Sequence, residues 1–353
     1  MNNQLLKPVL RVMALSAASV ALIFVINNFL IFWWGWPGLD LLFGQLGWFG
    51  FEAPRANLQG SRLILGWLQI VLYLGPIILI TVLVLQTSKR TILADSEVLS
   101  RLASYIIRSA FWAVLLIGLV DSVISFLRVE GLLSAVFGDQ LAKDLGRSAY
   151  RGLYVHYPLI FVSFIIGYFS RGLGFMWLAL LIVSAELLIV ITRFVFSYEQ
   201  AFMGDLVRFW YAALFLFASA YTLIEEGHVR VDIIYTSFTD RGKAWSNVFG
   251  TILLGIPVCW IILTSGLGGK SNLINAPLLA FEVTQSGYGM FVKYLMAGFL
   301  LIYALSMMIQ FISYFLHNAA ILIREPGAKL LHSNEEVEFQ APGGAAASFG
   351  QSN

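Results

Sequence analysis

The sequence predicts an all-α, polytopic membrane protein with about eight transmembrane helices and interfacial amphipathic segments, on three observations. Hydrophobic residues make up 59% of the chain and charged residues only 12%. The mean hydropathy is +0.81. Apolar runs of spanning length recur from near the start to about residue 316. A chain so composed cannot present the charged surface of a water-soluble domain. A hydrocarbon core about 30 Å thick asks for roughly 20 mostly apolar residues per helix, and no soluble domain of useful size fits between the runs. The net charge of +2 makes no field for nucleic acid. The single Cys259 excludes an intramolecular disulfide and a Cys-based metal cluster.

Apolar runs read against polar breaks place the spans near 12–34, 63–86, 103–126, 153–169, 175–196, 205–225, 245–266 and 288–315. The N-terminus, with cations before an apolar run, resembles a signal peptide. That run outlasts a signal core and ends in Trp33, Trp34 and Trp36 without a small-residue cleavage site, so it reads as the first span. The run at 153–169 is short and carries Pro158 in its first turns; a full span and a re-entrant segment are both open to it. Trp and Tyr gather at several helix ends, where an amphipathic ring suits the headgroup zone.

Two connecting segments read as amphipathic. Residues 36–62 are rich in Gly, Phe and Trp; residues 129–150 set Leu133, Val136, Phe137, Leu141 and Leu145 at helical spacing among charges. After residue 325 the chain is polar and rich in Gly and Ala, a composition expected to stay disordered. This divides the chain into an N-terminal membrane extension at 1–170, a four-helix unit at 171–320 and a tail at 321–353. If the N-terminus is cytoplasmic, Lys and Arg divide 11 to 10 between the two sides when those at helix ends are counted, no real bias. Lys7 and Arg11 before the first span, with no acid beside them, and the short loop at 87–101 favour that orientation.

Ionisable groups inside spans each need an account, because the bilayer centre disfavours charge. Asp121 and Glu186 are the interior acids and Arg108 the interior base. Glu186 and Arg193 lie seven residues apart, near one helix face but about 10 Å apart along the axis. These three intramembrane groups read as polar packing contacts rather than a coupling-ion site, as do Asn27, Asn28 and Gln69. Of four histidines only His156 lies inside a predicted span, which argues against paired haem ligation. There is no phosphate loop, nucleophile elbow or zinc-protease motif. No cofactor, metal or catalytic residue is expected, and the chain reads as a non-enzyme.

The most charged stretch is Glu225 to Trp245, "EEGHVRVDIIYTSFTDRGKAW", with seven ionisable side chains and a His. Gly227 can end the preceding helix, and Val229, Val231, Ile233 and Ile234 interleave with His228, Arg230 and Asp232, a pattern suited to a segment lying in the interface. Together with "TRFVFS", "GDLVRFWYAALFLFASAYTLI" and "DRGKAW", this order resembles the small integral membrane subunit (DctQ-type) of tripartite ATP-independent periplasmic (TRAP) transporters. The family's positions fall on Arg193 with Phe194, on Asp205 and Arg208, and on Glu225, His228, Arg230 and Asp232; Gly204 stands where the family has a further acid. The likeness covers about 175–316. The whole chain looks like the longer small subunits with extra N-terminal helices.

The resemblance implies a scaffold subunit in a bacterial inner membrane with both termini cytoplasmic. Its expected partners are a large permease subunit, a periplasmic solute-binding protein and membrane lipid, with no nucleic acid; the complex would import an organic acid with sodium. Two other classes stay open on the residues alone. One is a stand-alone secondary transporter or channel using Glu186 and Asp121, and the other a redox or lipid-modifying enzyme.

Overall fold

Long apolar runs in a medium that cannot satisfy backbone polar groups must close their hydrogen bonds internally, and they do so as helices. The computed structural model describes residues 3–54, 56–170, 175–198, 200–224, 235, 237–284 and 289–329, and among these there is no strand. In chain order the helices are α1 (Asn3–Trp34), α2 (Leu39–Leu46), α3 (Ser61–Gln86), α4 (Ile92–Val129), α5 (Leu133–Phe137), α6 (Asp139–Leu145) and α7 (Ser148–Phe169). There follow α8 (Phe175–Phe196), α9 (Met203–Ile224), α10 (Asp240–Leu267), α11 (Asn275–Ala280) and α12 (Lys293–Leu322). Seven of the described helices, α1, α3, α4, α7, α8, α10 and α12, are long and apolar enough to cross a membrane. The remaining expected span, α9, is a 22-residue helix packed against α4, α8 and α12.

The bundle is built around α4 and α12. They pack on one another, and α7 and α9 close over α4 while α1, α9 and α10 close over α12. Half of the most apolar window of α12 and 44% of that of α4 are buried, against 11% for α3 and for α8. The last two are therefore peripheral. On α1 the buried stripe is Ala14, Ala18 and Ala21, small side chains at i, i+4 and i+7 that let neighbouring backbones approach. One continuous apolar core runs from these alanines through Ile107 and Ile117 of α4 to Trp210, Phe217 and Ile309. The 1–170 extension and the 171–320 unit thus share a single core.

Several boundaries differ from the sequence reading for local reasons. α4 starts at Ile92 rather than 103, because Thr91 caps it by accepting from the Ala94 N–H and Asp95 is drawn inward by cations. The amphipathic segment at 129–150 is not one helix. Gly138, at φ +79°, splits it into α5 and α6; Leu133 and Leu145 stay buried while Val136, Phe137 and Leu141 face outward. In the segment 36–62, α2 buries Leu42, and the Gln45 amide both donates to and accepts from the backbone of Leu58.

α7 runs as one 22-residue helix of spanning length. A π-helical turn at Gly152–His156 lies just ahead of Pro158, and a second at Thr251–Gly255 lies just ahead of Pro257 in α10. Proline has no N–H and its ring presses on the carbonyl four residues back, so a widened turn relieves both faults without breaking the helix.

At the other end of the chain, residues 321–329 belong to the folded body rather than the tail, since α12 runs to Leu322 and Glu325 is 8% exposed. The rest of the tail, from 330, lies outside the described residues. Asn28 does not bridge helices; its amide donates to the Phe24 carbonyl one turn back, a nearer acceptor. Asn27 and Gln69 carry buried amide atoms with no partner among the described residues.

Candidate functional site: a buried ionic clamp

Asp121 sits two turns before the end of α4 and is 0% exposed. Its Oδ1 accepts from Arg151 at 2.8 Å and from His156 Nε2 at 3.1 Å, and its Oδ2 accepts from the backbone N–H of Phe291 at 3.0 Å. Arg151 is equally sealed; it also donates to Ser125 and, through two nitrogens, to the carbonyl of Leu145. The other ring nitrogen of His156, Nδ1, shares a hydrogen bond of 2.7 Å with the Tyr294 hydroxyl. The Asp121 carboxylate and the Arg151 guanidinium compensate one another's charge inside the cluster.

The π turn explains how α7 supplies two partners to one carboxylate. In a regular α-helix residues five apart are rotated by about 140° from one another, so Arg151 and His156 would diverge. A turn that closes i to i+5 swings them toward one face. Gly152, between them, is required by crowding: a Cβ there would stand 2.4 Å from the Phe281 ring and 3.1 Å from the Tyr294 hydroxyl. Around it Phe281, Tyr157, Trp33 and Tyr294 form an aromatic collar with ring centres 5.3 to 6.1 Å apart.

The same end of the bundle clamps the approach to α12. Three consecutive residues each meet a charged side chain: the Gly289 carbonyl accepts from Arg128 at 2.8 Å, the Met290 N–H donates to Asp205 at 3.1 Å, and the Phe291 N–H donates to Asp121. The Phe291 ring lies under the guanidinium carbons of Arg128 and Arg151, 4.4 and 4.3 Å from its centre. A second cluster holds the opposite end. Arg11 of α1 bonds Asp95 at 2.6 Å and the Thr87 carbonyl at 2.8 Å, and Arg90 bonds the other Asp95 oxygen at 2.8 Å. Glu325 pairs with Lys7 at 2.9 Å and accepts from the first backbone N–H groups of α4, at Ile92 and Leu93.

Of the residues singled out from the sequence, Asp121, His156 and Asp205 enter this clamp. Arg208 is 75% exposed in its side chain and stands 3.8 Å from Asp205. Arg108 is half-buried on α4, its Nε enclosed without an acceptor among the described residues. Glu186 and Arg193 both face outward from α8. Glu225, His228, Arg230 and Asp232 lie outside the described residues.

Sequence reasoning missed Arg151, Arg128, Tyr294, the Arg11–Asp95 pair and Glu325 as partners. A signal was present for part of this: a sealed acid needs a cation, and His156 was the lone His within a span.

Both oxygens of Asp121 are occupied, and no group of three His, Cys, Asp or Glu side chains that could hold a metal occurs among the described residues. A cavity of about 350 Å³ lies among α1, α4, α7, α9 and α12, but its wall is almost wholly apolar, with Ile106, Val114, Phe209, Phe217, Leu295 and Phe299 among its residues.

Such a bundle, with its sealed charges spent on tying helices at both ends, defines a multi-pass α-helical membrane protein. Residues 174–320, from α8 into α12, match the family described as "Tripartite ATP-independent periplasmic transporters, DctQ component". The similarity to the small permease component of TRAP transporters thus lies in the part of the chain from α8 into α12. No curated protein and no solved structure matches the chain.

Proposed function

We propose that the chain is the scaffold subunit of a sodium-coupled TRAP transporter in a bacterial inner membrane, working with a large permease subunit and a periplasmic binding protein to import an organic acid. The observation that carries this reading is the family match over α8 to α12. The clamp supports it: both oxygens of the Asp121 carboxylate already accept from Arg151, His156 and a backbone N–H, and the Arg151 guanidinium meets its charge, an arrangement that disfavours a coupling ion there. The apolar cavity supports it too, since an organic anion would leave its charge unpaired there. A stand-alone transporter using Glu186 and Asp121 fits less well, because Asp121 is sealed between helices while Glu186 points outward from α8. The two do not converge on one site.

With the N-terminus cytoplasmic, the Arg11–Asp95–Glu325 cluster lies at the cytoplasmic end and the Asp121 clamp toward the periplasm. The segments at 36–62 and 129–150 then face the binding protein, presenting Trp48, Phe49 and Phe51. Arg230 and Asp232 are proposed to lock the cytoplasmic segment against the large subunit; Arg230→Ala and Asp232→Ala should lower complex yield and transport. The decisive experiment co-expresses the three components, purifies the complex and measures sodium-dependent uptake in vesicles. The complex should transport and this chain alone should be inert; uptake by the chain alone would refute the scaffold role.

A further inference from the structure

Two helices, α3 and α8, lie at the periphery of the bundle, and they treat their polar residues in opposite ways. α3 turns its one mid-helix amide, Gln69, fully inward and leaves Val71, Leu74, Ile78 and Leu79 outside. That is how a helix facing lipid is built, since hydrocarbon cannot solvate polar groups. α8 packs substantially only on α9, burying Leu178, Ile182 and Ala185. Its outward stripe is Val183, Glu186, Val190 and Arg193, residues at i, i+3, i+7 and i+10, all exposed. Glu186 is the twelfth of the 22 residues of α8, about 17 Å from the first residue and about 15 Å from the last. Its short side chain cannot reach either headgroup layer, and it has no partner among the described residues. A groove of about 410 Å³ between α8, α9 and α4, lined by Leu181, Ser184 and Leu188, by Leu206 and by Val123 and Phe126, lies on the other side of α8 from this stripe.

We infer that the outward face of α8 is not a lipid face but the seat of a membrane-spanning helix of the large permease subunit, which sets a cation or hydrogen-bond donor against Glu186 and an acceptor near Arg193. The apolar stripe supplies the packing area, and the mid-membrane carboxylate supplies register, because an apolar helix alone would leave it uncompensated. The inference rests on the subunit reading above, which names the partner; the surface itself follows from where Glu186 points.

The test co-expresses the tagged full-length chain with the large subunit and compares recovery of the large subunit in detergent. The variants are Glu186→Lys, Val190→Trp on the same stripe, and Leu79→Trp on the outer face of α3. A photo-cross-linking residue at position 183 identifies the neighbour directly. Recovery should fall at least tenfold for Glu186→Lys and Val190→Trp and stay at the wild-type level for Leu79→Trp. The thermal stability of the isolated chain should be unchanged in all three, and the cross-link should join the large subunit. Full recovery with both α8 variants, or a cross-link to a second copy of this chain, would overturn the α8 seat while leaving the subunit reading intact. No recovery of the large subunit with the wild-type chain would overturn that reading itself.

Discussion

Asp121 joins more of the chain than a polar packing contact between two helices would. It neutralises Arg151 and orders His156, and its second oxygen fixes the backbone at Phe291, so three separate stretches of chain converge on one carboxylate. Removing one member of a sealed ion pair leaves the other uncompensated, at a cost of about 3–5 kcal/mol. Asp121→Ala is expected to destabilise the protein by that order, read from denaturation in detergent. Replacing Asp121 and Arg151 together by Leu should cost less than the sum of the single changes, since the second substitution removes the charge that the first exposed. Additive losses would mean that the two groups are independently solvated. At the other end, the cycle Arg11→Gln with Asp95→Asn should give a smaller coupling, about 0.5–3 kcal/mol, because Arg90 and Thr87 retain part of the network.

At the scale of elements, the long apolar runs made the eight principal helices legible, since length and hydropathy are properties of one segment. What could not be read were features decided by two segments at once. α4 begins at Ile92 in part because Arg11 neutralises Asp95 and Glu325 caps its first N–H groups, contacts that span 84 and 233 residues of sequence. The periodicity across Leu133 to Leu145 pointed to one amphipathic helix, and a positive-φ Gly138 breaks it. Pro158 marked α7 as a doubtful span, yet the π turn before it both preserves the helix and aims Arg151 and His156. Gly152 within that turn is the sharpest test of the arrangement. Gly152→Val pushes a side chain into the Phe281 ring and the Tyr294 hydroxyl, an overpacking of the kind that costs about 1–3 kcal/mol. The variant should melt lower than wild type, whereas the same change at Gly204, where a Cβ meets nothing within 4 Å, should melt close to it.

For the whole molecule the question is whether the family domain stands without the helices that precede it. The match covers residues 174–320, but α9 and α12 both pack on α4. Gly118 of α4 receives the Trp210 ring so closely that a Cβ would lie 2.2 Å from its Nε1. Ser96 and Ser313 exchange hydrogen bonds with one another's backbone at 2.9 and 2.7 Å. The N–H of Phe291 needs Asp121, and Glu325 needs the start of α4. A chain beginning at residue 171 would leave these polar groups unpaired inside the membrane, where water cannot take the place of the missing partners. It would also turn the buried faces of α9 and α12 toward lipid that packs them less closely than α4 does.

The truncated chain is therefore expected to aggregate on extraction or to melt well below the full-length protein. Co-expression with a separate 1–170 chain should restore a monodisperse complex, because the bonds at issue lie between helices and do not depend on the connection at 171–174. A truncated chain that purified alone with wild-type stability would show the N-terminal helices to be an accessory layer. Failure of the two pieces to reassemble, with each stable alone, would show that the connection rather than the shared core holds them together.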